Sequence, residues 1–274
     1  MSTISEPNSL AVFCDFENIA LGVKDANYAK FDMQLVLEKL LLKGTIIVKK
    51  AYCDWSRYRE FKAAMHEASF ELIDIPHVRQ SGKNSADIRM VVDALDLCYT
   101  KSHVKTFVMI SGDSDFSPLV SKLRENNKVV IGVGVKNSSS DLLVANCDEF
   151  IYYDDLQRAQ TGKRKQAARR RSSATKKPVR SDADKSEPEA EDRSQEGISL
   201  VLDMAEELLD ERGDGDKVWG SMVKQALKRR QPGFSEGYYG FKSFNLLLEE
   251  AERRKLLTLE RDEKSGGYII TGMA

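Results

Sequence analysis

Residues 110–120 read ISGDSDFSPLV, directly after the apolar run Thr106-Phe107-Val108-Met109. The run reads as a buried strand, and Ser111-Gly112 as its exit. Asp113 and Asp115 follow, one residue apart, and Phe116-Ser117-Pro118 opens a helix with proline in its first turn. Two carboxylates at that spacing repel each other. The remainder of the chain must supply whatever offsets that repulsion.

Working outward, residues 10–156 alternate between short apolar runs and amphipathic stretches. Strands are expected at 10–14, 45–52, 70–75, 105–111, 128–135 and 149–153. Most are too continuously apolar for a sheet with one wet face, so they suit a parallel sheet covered on both sides. Helices are expected between them at 32–43, 55–68, 85–100, 116–126 and 138–146. Alternating strands and helices imply a doubly wound α/β domain, whose working crevice lies at the carboxyl ends of the strands.

The first strand ends in Cys14-Asp15-Phe16-Glu17-Asn18. If it lies parallel and close to 105–111, Asp15 converges with Asp113 and Asp115 at one sheet edge, with Gly112 allowing a sharp turn. Lys83-Asn84-Ser85-Ala86-Asp87 adds a fourth acid in the first turn of a helix, with Ser85 read as its N-cap. Asp93, six residues on, points about 120° away around a helix of 3.6 residues per turn. Several carboxylates at one edge call for a cation, and an all-oxygen set suits Mg²⁺ or Mn²⁺. Such sites act on phosphate esters. The rival reading of the same acids is a set of solvated loop residues at strand ends.

Composition narrows the other options. Hydrophobic residues make up 41% and charged residues 31% of 274, and the net charge of −1 selects neither nucleic acid nor an acidic substrate. Cys14, Cys53, Cys98 and Cys147 show no C-x-x-C pairing and read as buried free thiols. His66, His77 and His103 lack metal-ligand spacing, which argues against zinc or a histidine-based nucleophile. No apolar run approaches the ~18–20 residues of a membrane span, and MSTISEPNS does not read as a signal peptide. A reducing, cytoplasmic setting is expected, or a nuclear one in a eukaryotic host.

The pattern stops at 157–196. Residues 157–180 carry ten basic and no acidic residues, and 181–196 carry seven acids against two bases. This segment is expected to be a disordered linker, serving as a spacer, a phosphate-binding arm or a nuclear import signal. From 197 to 274 three helices and a terminal hairpin are expected, the outline of a winged helix-turn-helix module. Trp219 is placed in its second helix, and 213–216 in a turn. Tyr238, Tyr239 and Phe241 read first as core. Lys228, Arg229, Arg230 and Lys242 are the candidates for phosphate contact.

AVFCDFENIA, KNSADIRMVVDAL and VMISGDSDFSPLVSKLRENNKVVIGVGV together resemble the NYN domains, the LabA-like branch of the PIN nuclease superfamily. The resemblance covers about residues 8–156. It implies a metal-dependent ribonuclease with Asp15, Asp87, Asp113 and Asp115 as the acidic metal site. Asn18, Ser111 and Asp93 then stand as orienting groups beside it. Asn84 departs from the family, which often has Gly after the Lys. Trp219, PGFSEGYYGFKSFNLLLEEA and the Gly-Gly-Tyr-Ile-Ile hairpin resemble the OST-HTH (LOTUS) domain, which implies RNA binding or docking of a protein partner.

The expectation is thus an endoribonuclease using Mg²⁺ or Mn²⁺, with Lys83, Arg89 and Lys136 steering the RNA backbone. Residues 1–156 carry 22 acids and 18 bases, so RNA must be attracted largely by other parts or by the metals. The alternative is a non-catalytic pseudo-nuclease that scaffolds RNA or proteins. Phosphatases of the haloacid-dehalogenase type and Toprim domains fit less well. The first need a D-x-D after strand one, where Asp15-Phe16-Glu17 stands, and the second need a Glu where Asp15 is. No pattern fixes the oligomeric state.

Overall fold

The computed structural model describes residues 8–28, 30–76, 84–161, 187–212, 217–262 and 266–273. The chain divides into two compact units, residues 1–157 and 158–274. In the first, the order is β1 (Ser9–Asp15), α1 (Phe16–Asp25), α2 (Met33–Leu41), β2 (Thr45–Cys53), α3 (Arg59–Glu67) and β3 (Glu71–Asp74). Then come α4 (Ser85–Thr100), β4 (Val104–Ile110), α5 (Ser117–Glu125), β5 (Val129–Gly134), α6 (Asp141–Asn146), β6 (Glu149–Tyr152) and a helical stretch at 153–161, α7.

The six strands form one sheet in the order β3-β2-β1-β4-β5-β6, and every neighbouring pair is parallel. This is the parallel sheet expected from the apolar runs, buried on both faces along β1, β4 and β5 and more open along β2 and β3. Alternation along β1 sends Leu10, Val12 and Cys14 into one core and Ala11 and Phe13 into the other. Strand β4 divides likewise, with Val108 and Ile110 opposite Phe107 and Met109. Each large apolar side chain buried this way contributes roughly 1.5–3 kcal/mol. The chain leaves β1 in opposite directions along the sheet, so the strand order reverses between β1 and β4. That reversal opens a crevice at their carboxyl ends, where Asp15 and the 111–115 turn stand.

Two elements of this unit differ from the sequence reading. Helix α1 begins with no linker after β1, where no helix was expected. Its Phe16 is fully buried among Phe31, Trp55, Tyr58 and Phe61, and so fixes the strand-to-helix corner. The expected helix at 138–146 is instead a 3₁₀ turn, Lys136–Ser138, followed by α6 capped by Ser140. The four cysteines are buried free thiols, as expected.

The second unit contains α8 (Glu187–Arg212), β7 (Val218–Trp219), α9 (Gly220–Arg230), α10 (Phe244–Arg253), β8 (Leu257–Arg261) and β9 (Tyr268–Met273). Its antiparallel sheet runs β7-β9-β8. Trp219 therefore closes a short strand rather than lying in a helix. The disordered-linker expectation for 157–196 is corrected at both ends, since 157–161 and 187–196 are helical. Residues 162–186 and the 213–216 turn lie outside the described residues, as does Lys83. Tyr239 is core, stacked on Phe234, and a β-carbon on Gly197 would lie 2.6 Å from its ring. Gly240 takes φ +88°, a conformation that favours glycine.

Candidate active site

Asp15 is both the last residue of β1 and the N-cap of α1. One carboxylate oxygen accepts the Asn18 backbone N–H at 3.3 Å, and the other accepts the Ser111 hydroxyl at 3.1 Å. The Ser111 oxygen in turn accepts the Asp113 N–H at 3.2 Å. Asn18 reaches across with its side-chain oxygen, which accepts the Gly112 N–H at 2.8 Å. Two bridges therefore tie the end of β1 to the end of β4. Asp113 Oδ1 accepts the Asp115 N–H at 3.0 Å and caps a 3₁₀ turn over Ser114–Phe116.

Gly112 has a different reason from the sharp turn expected of it. Its φ is not positive, but a β-carbon there would stand 2.3 Å from the Ser138 carbonyl oxygen. Its own carbonyl accepts the Ser140 N–H at 2.9 Å. Glycine lets the 136–140 loop press directly on the acid turn. Gly112→Ala is expected to push that loop away, lowering stability by ~1–3 kcal/mol in urea melts as overpacked sites do. A melt unchanged from wild type would show that the contact is soft.

Asp87 lies in the first turn of α4, whose N-cap is Asn84 rather than Ser85, without a side-chain capping bond. Burial, then Asp113, Asp115 and Glu17, push Asp87 up to about 6. Asp15 is only 8% exposed. Burial, then Asp87 and Asp113, push it up to about 7, against the lowering effect of the Asn18 N–H and the Ser111 hydroxyl. The four acids thus share one rim and feel one another electrostatically. Glu17, which sequence reasoning passed over, belongs to the same field and pairs with Arg57 at 2.8 Å. Its spacing two residues after Asp15, in the first turn of α1, was the available signal.

Asp93 is not brought to this rim by any contact. It accepts from the Tyr52 hydroxyl at 2.9 Å, and pairs with Lys50 at 3.3 Å and Arg89 at 3.1 Å. Burial works against its charged form, but the Tyr52 hydroxyl, Lys50 and Arg89 hold its carboxyl below the ordinary range. Arg89 is correspondingly committed to Asp93. Lys136 is exposed in the 3₁₀ turn after β5, at the same end of the sheet, and its backbone N–H binds Asp154. In the second unit, Lys228, Arg229 and Arg230 form the last turn of α9, and Arg230 makes a two-bond pair with Glu207 at 2.7 Å. Lys242 is exposed before α10.

Among the described residues, no three Asp, Glu, His or Cys side chains are set close enough to form a ready-made cation cage. The donor set nonetheless fits a hard divalent cation: every group offers oxygen, and Asp15 and Asp87 are held in excess of the charge their surroundings tolerate. Beside Asp87 and Asp115 opens a groove of about 720 Å³, walled by α4 on one side and by the 114–121 segment on the other.

A parallel α/β sheet with carboxylates gathered at its β1/β4 switch point defines a class of domain suited to chemistry on phosphate esters. Residues 9–154, more than half the chain, match the NYN domain, and the chain belongs to that family. The family is PIN-like and of nuclease type. Two relatives are each named meiosis regulator and mRNA stability factor 1. That of Bos taurus is 25% identical and that of Mus musculus 24%, each over 147 residues. The match takes in 54% of this chain but only 8% of the relatives' length. A protein of unknown function from Vibrio parahaemolyticus is 24% identical, with a TM-score of 0.49 over 56% of this chain and 96% of its own.

Proposed function

We propose that the chain is a metal-dependent endoribonuclease whose reaction centre is the rim formed by Asp15, Asp87, Asp113 and Asp115. The observation that carries this reading is the bridge Asp113 N–H to Ser111 to Asp15, which locks two repelling strand ends together. Asp15 and Asp113 each cap a turn, and a cation between them would offset the repulsion that holding them this close costs. Asp15, Asp87, Asp113 and Asp115 would hold Mg²⁺ or Mn²⁺, which supplies charge neutralisation and polarises water and phosphodiester when bound. Ser111 and Asn18 keep Asp15 and the 112–113 backbone in register. Asp113 fixes the 3₁₀ turn that presents Asp115. The names of the relatives, which refer to mRNA stability, support RNA as the substrate class.

The second unit serves this reading as a recruiting module. Its order of helix, strand, two helices and two strands supports a winged-helix reading, and its resemblance to OST-HTH domains supports binding of RNA or a protein partner. Lys228, Arg229 and Lys242 supply cationic contacts. Arg230 can exchange Glu207 for phosphate at little cost, since an exposed pair is worth ~0–1 kcal/mol. Tethering would raise the local RNA concentration at the first unit. A circular single-stranded RNA tests the endonucleolytic claim, because it has no ends. With Mn²⁺ the full chain is expected to linearise it, and EDTA to stop the reaction. A circle left intact while linear RNA is shortened would replace this reading with an exonuclease.

A further inference from the structure

The groove beside the acids has two unlike walls. On α4, Ile88 and Val92 are 63% and 56% exposed, and Leu142 of α6 is 58% exposed at its edge. Large apolar side chains this exposed, clustered in one groove, mark a binding surface. The opposite wall carries Ser114, Ser117 and Ser121. Ser117 begins α5 and is only 6% exposed, yet its hydroxyl has no hydrogen-bond partner among the described residues. A buried hydroxyl without a partner is unfavourable unless something supplies one.

We propose that this groove is a nucleobase subsite, which takes one unpaired base of the RNA strand next to the phosphate being cut. The inference rests on the ribonuclease reading above. Asp87 and Asp115 line the groove and also belong to the acidic rim, so a strand whose phosphate lies at the acids must send a neighbouring nucleotide past it. A base has flat apolar faces and a polar edge. The faces match Ile88, Val92 and Leu142, and the edge matches the Ser117 hydroxyl. A base held in a duplex presents neither face, so the substrate is single-stranded at this position. The site then contributes position selectivity that the acids themselves cannot provide.

The test uses the full chain, Mn²⁺ and a single-stranded RNA in which one nucleotide at a time is replaced by an abasic ribonucleotide. Wild type is expected to lose about tenfold in kcat/KM at one position beside the cut and little elsewhere. Ile88→Gln with Val92→Gln, both at exposed helix positions, should show a KM for intact RNA raised about tenfold, with no remaining abasic effect. Ser117→Ala should melt no lower than wild type, because it removes an unpartnered hydroxyl, while weakening RNA binding. A flat abasic scan with normal cleavage would overturn the subsite and leave the ribonuclease reading standing. If wild type neither cuts nor binds RNA, both fall. A self-associating wild type whose dimer is lost in the double variant would assign the groove to a second copy instead.

Discussion

Asp15→Asn is expected to stabilise the folded chain while removing its activity on RNA. Asparagine keeps one oxygen for the Asn18 N–H and turns its NH₂ toward Ser111, whose hydroxyl oxygen then accepts instead of its proton being donated, and it caps helices about as well as aspartate. What it removes is a buried charge. With Asp15 pushed up from 3.8 to about 7, the folded state binds more protons than the unfolded state between those values. The sign follows from linkage: stability is highest at low pH and is lost as pH rises through about 7. The penalty at pH 8 is on the order of a few kcal/mol. In metal-free buffer, wild type should therefore melt several degrees higher at pH 5.5 than at pH 8. Asp87, pushed up to about 6, contributes in the same direction. The Asp15→Asn variant should have a flatter profile and a higher melting temperature than wild type at pH 8.

The cation enters the same balance. Anything that binds the folded state alone stabilises it by mass action, so Mn²⁺ should raise the wild-type melting temperature at pH 8 and do far less for Asp15→Asn. Equal profiles for the two proteins in metal-free buffer would mean that Asp15 carries no charge penalty. The bridge through Ser111 would then be an ordinary structural contact.

Much of this site was legible because parallel strands report themselves. The apolar runs ending at Cys14 and Ile110 gave both strand ends, and the acids that follow each run could only project from the carboxyl edge. Helix α1 was hidden for a physical reason. Its apolar positions Phe16, Ile19 and Val23 fit a helix, but it starts on the strand itself and contains Gly22, a weak helix former. The structure explains that glycine: a β-carbon there would lie 2.3 Å from Ser138 Oγ, so α1 packs closely on the 136–140 loop that also presses on Gly112. Asp93 was misplaced because its partners, Tyr52 and Lys50, lie on β2, 41 and 43 residues away in sequence. Ser111 was placed beside the acids only through the family resemblance, since a hydroxyl that bridges two strands leaves no trace in one-dimensional spacing. The partnerless hydroxyl of Ser117 was equally invisible, because burial and pairing appear only in three dimensions.

The second large effect concerns Asp113, on which the central claim rests. Its Oδ1 caps the 3₁₀ turn and its N–H engages Ser111, and asparagine preserves both interactions while halving the oxygen donors and deleting the charge. Asp113→Asn should therefore fold like wild type, as judged by circular dichroism and melting. Losing a cation-holding carboxylate at the reacting centre should slow cleavage by at least ~100-fold, in line with the cost of disturbing metal-site ligation. The direct measurement is the cleavage rate of end-labelled single-stranded RNA with Mn²⁺, wild type beside Asp113→Asn. A wild-type rate at least a hundredfold above the variant's is the predicted result. Equal rates for the two folded proteins, or no cleavage by either, would contradict the assignment of the acidic rim as a ribonuclease centre.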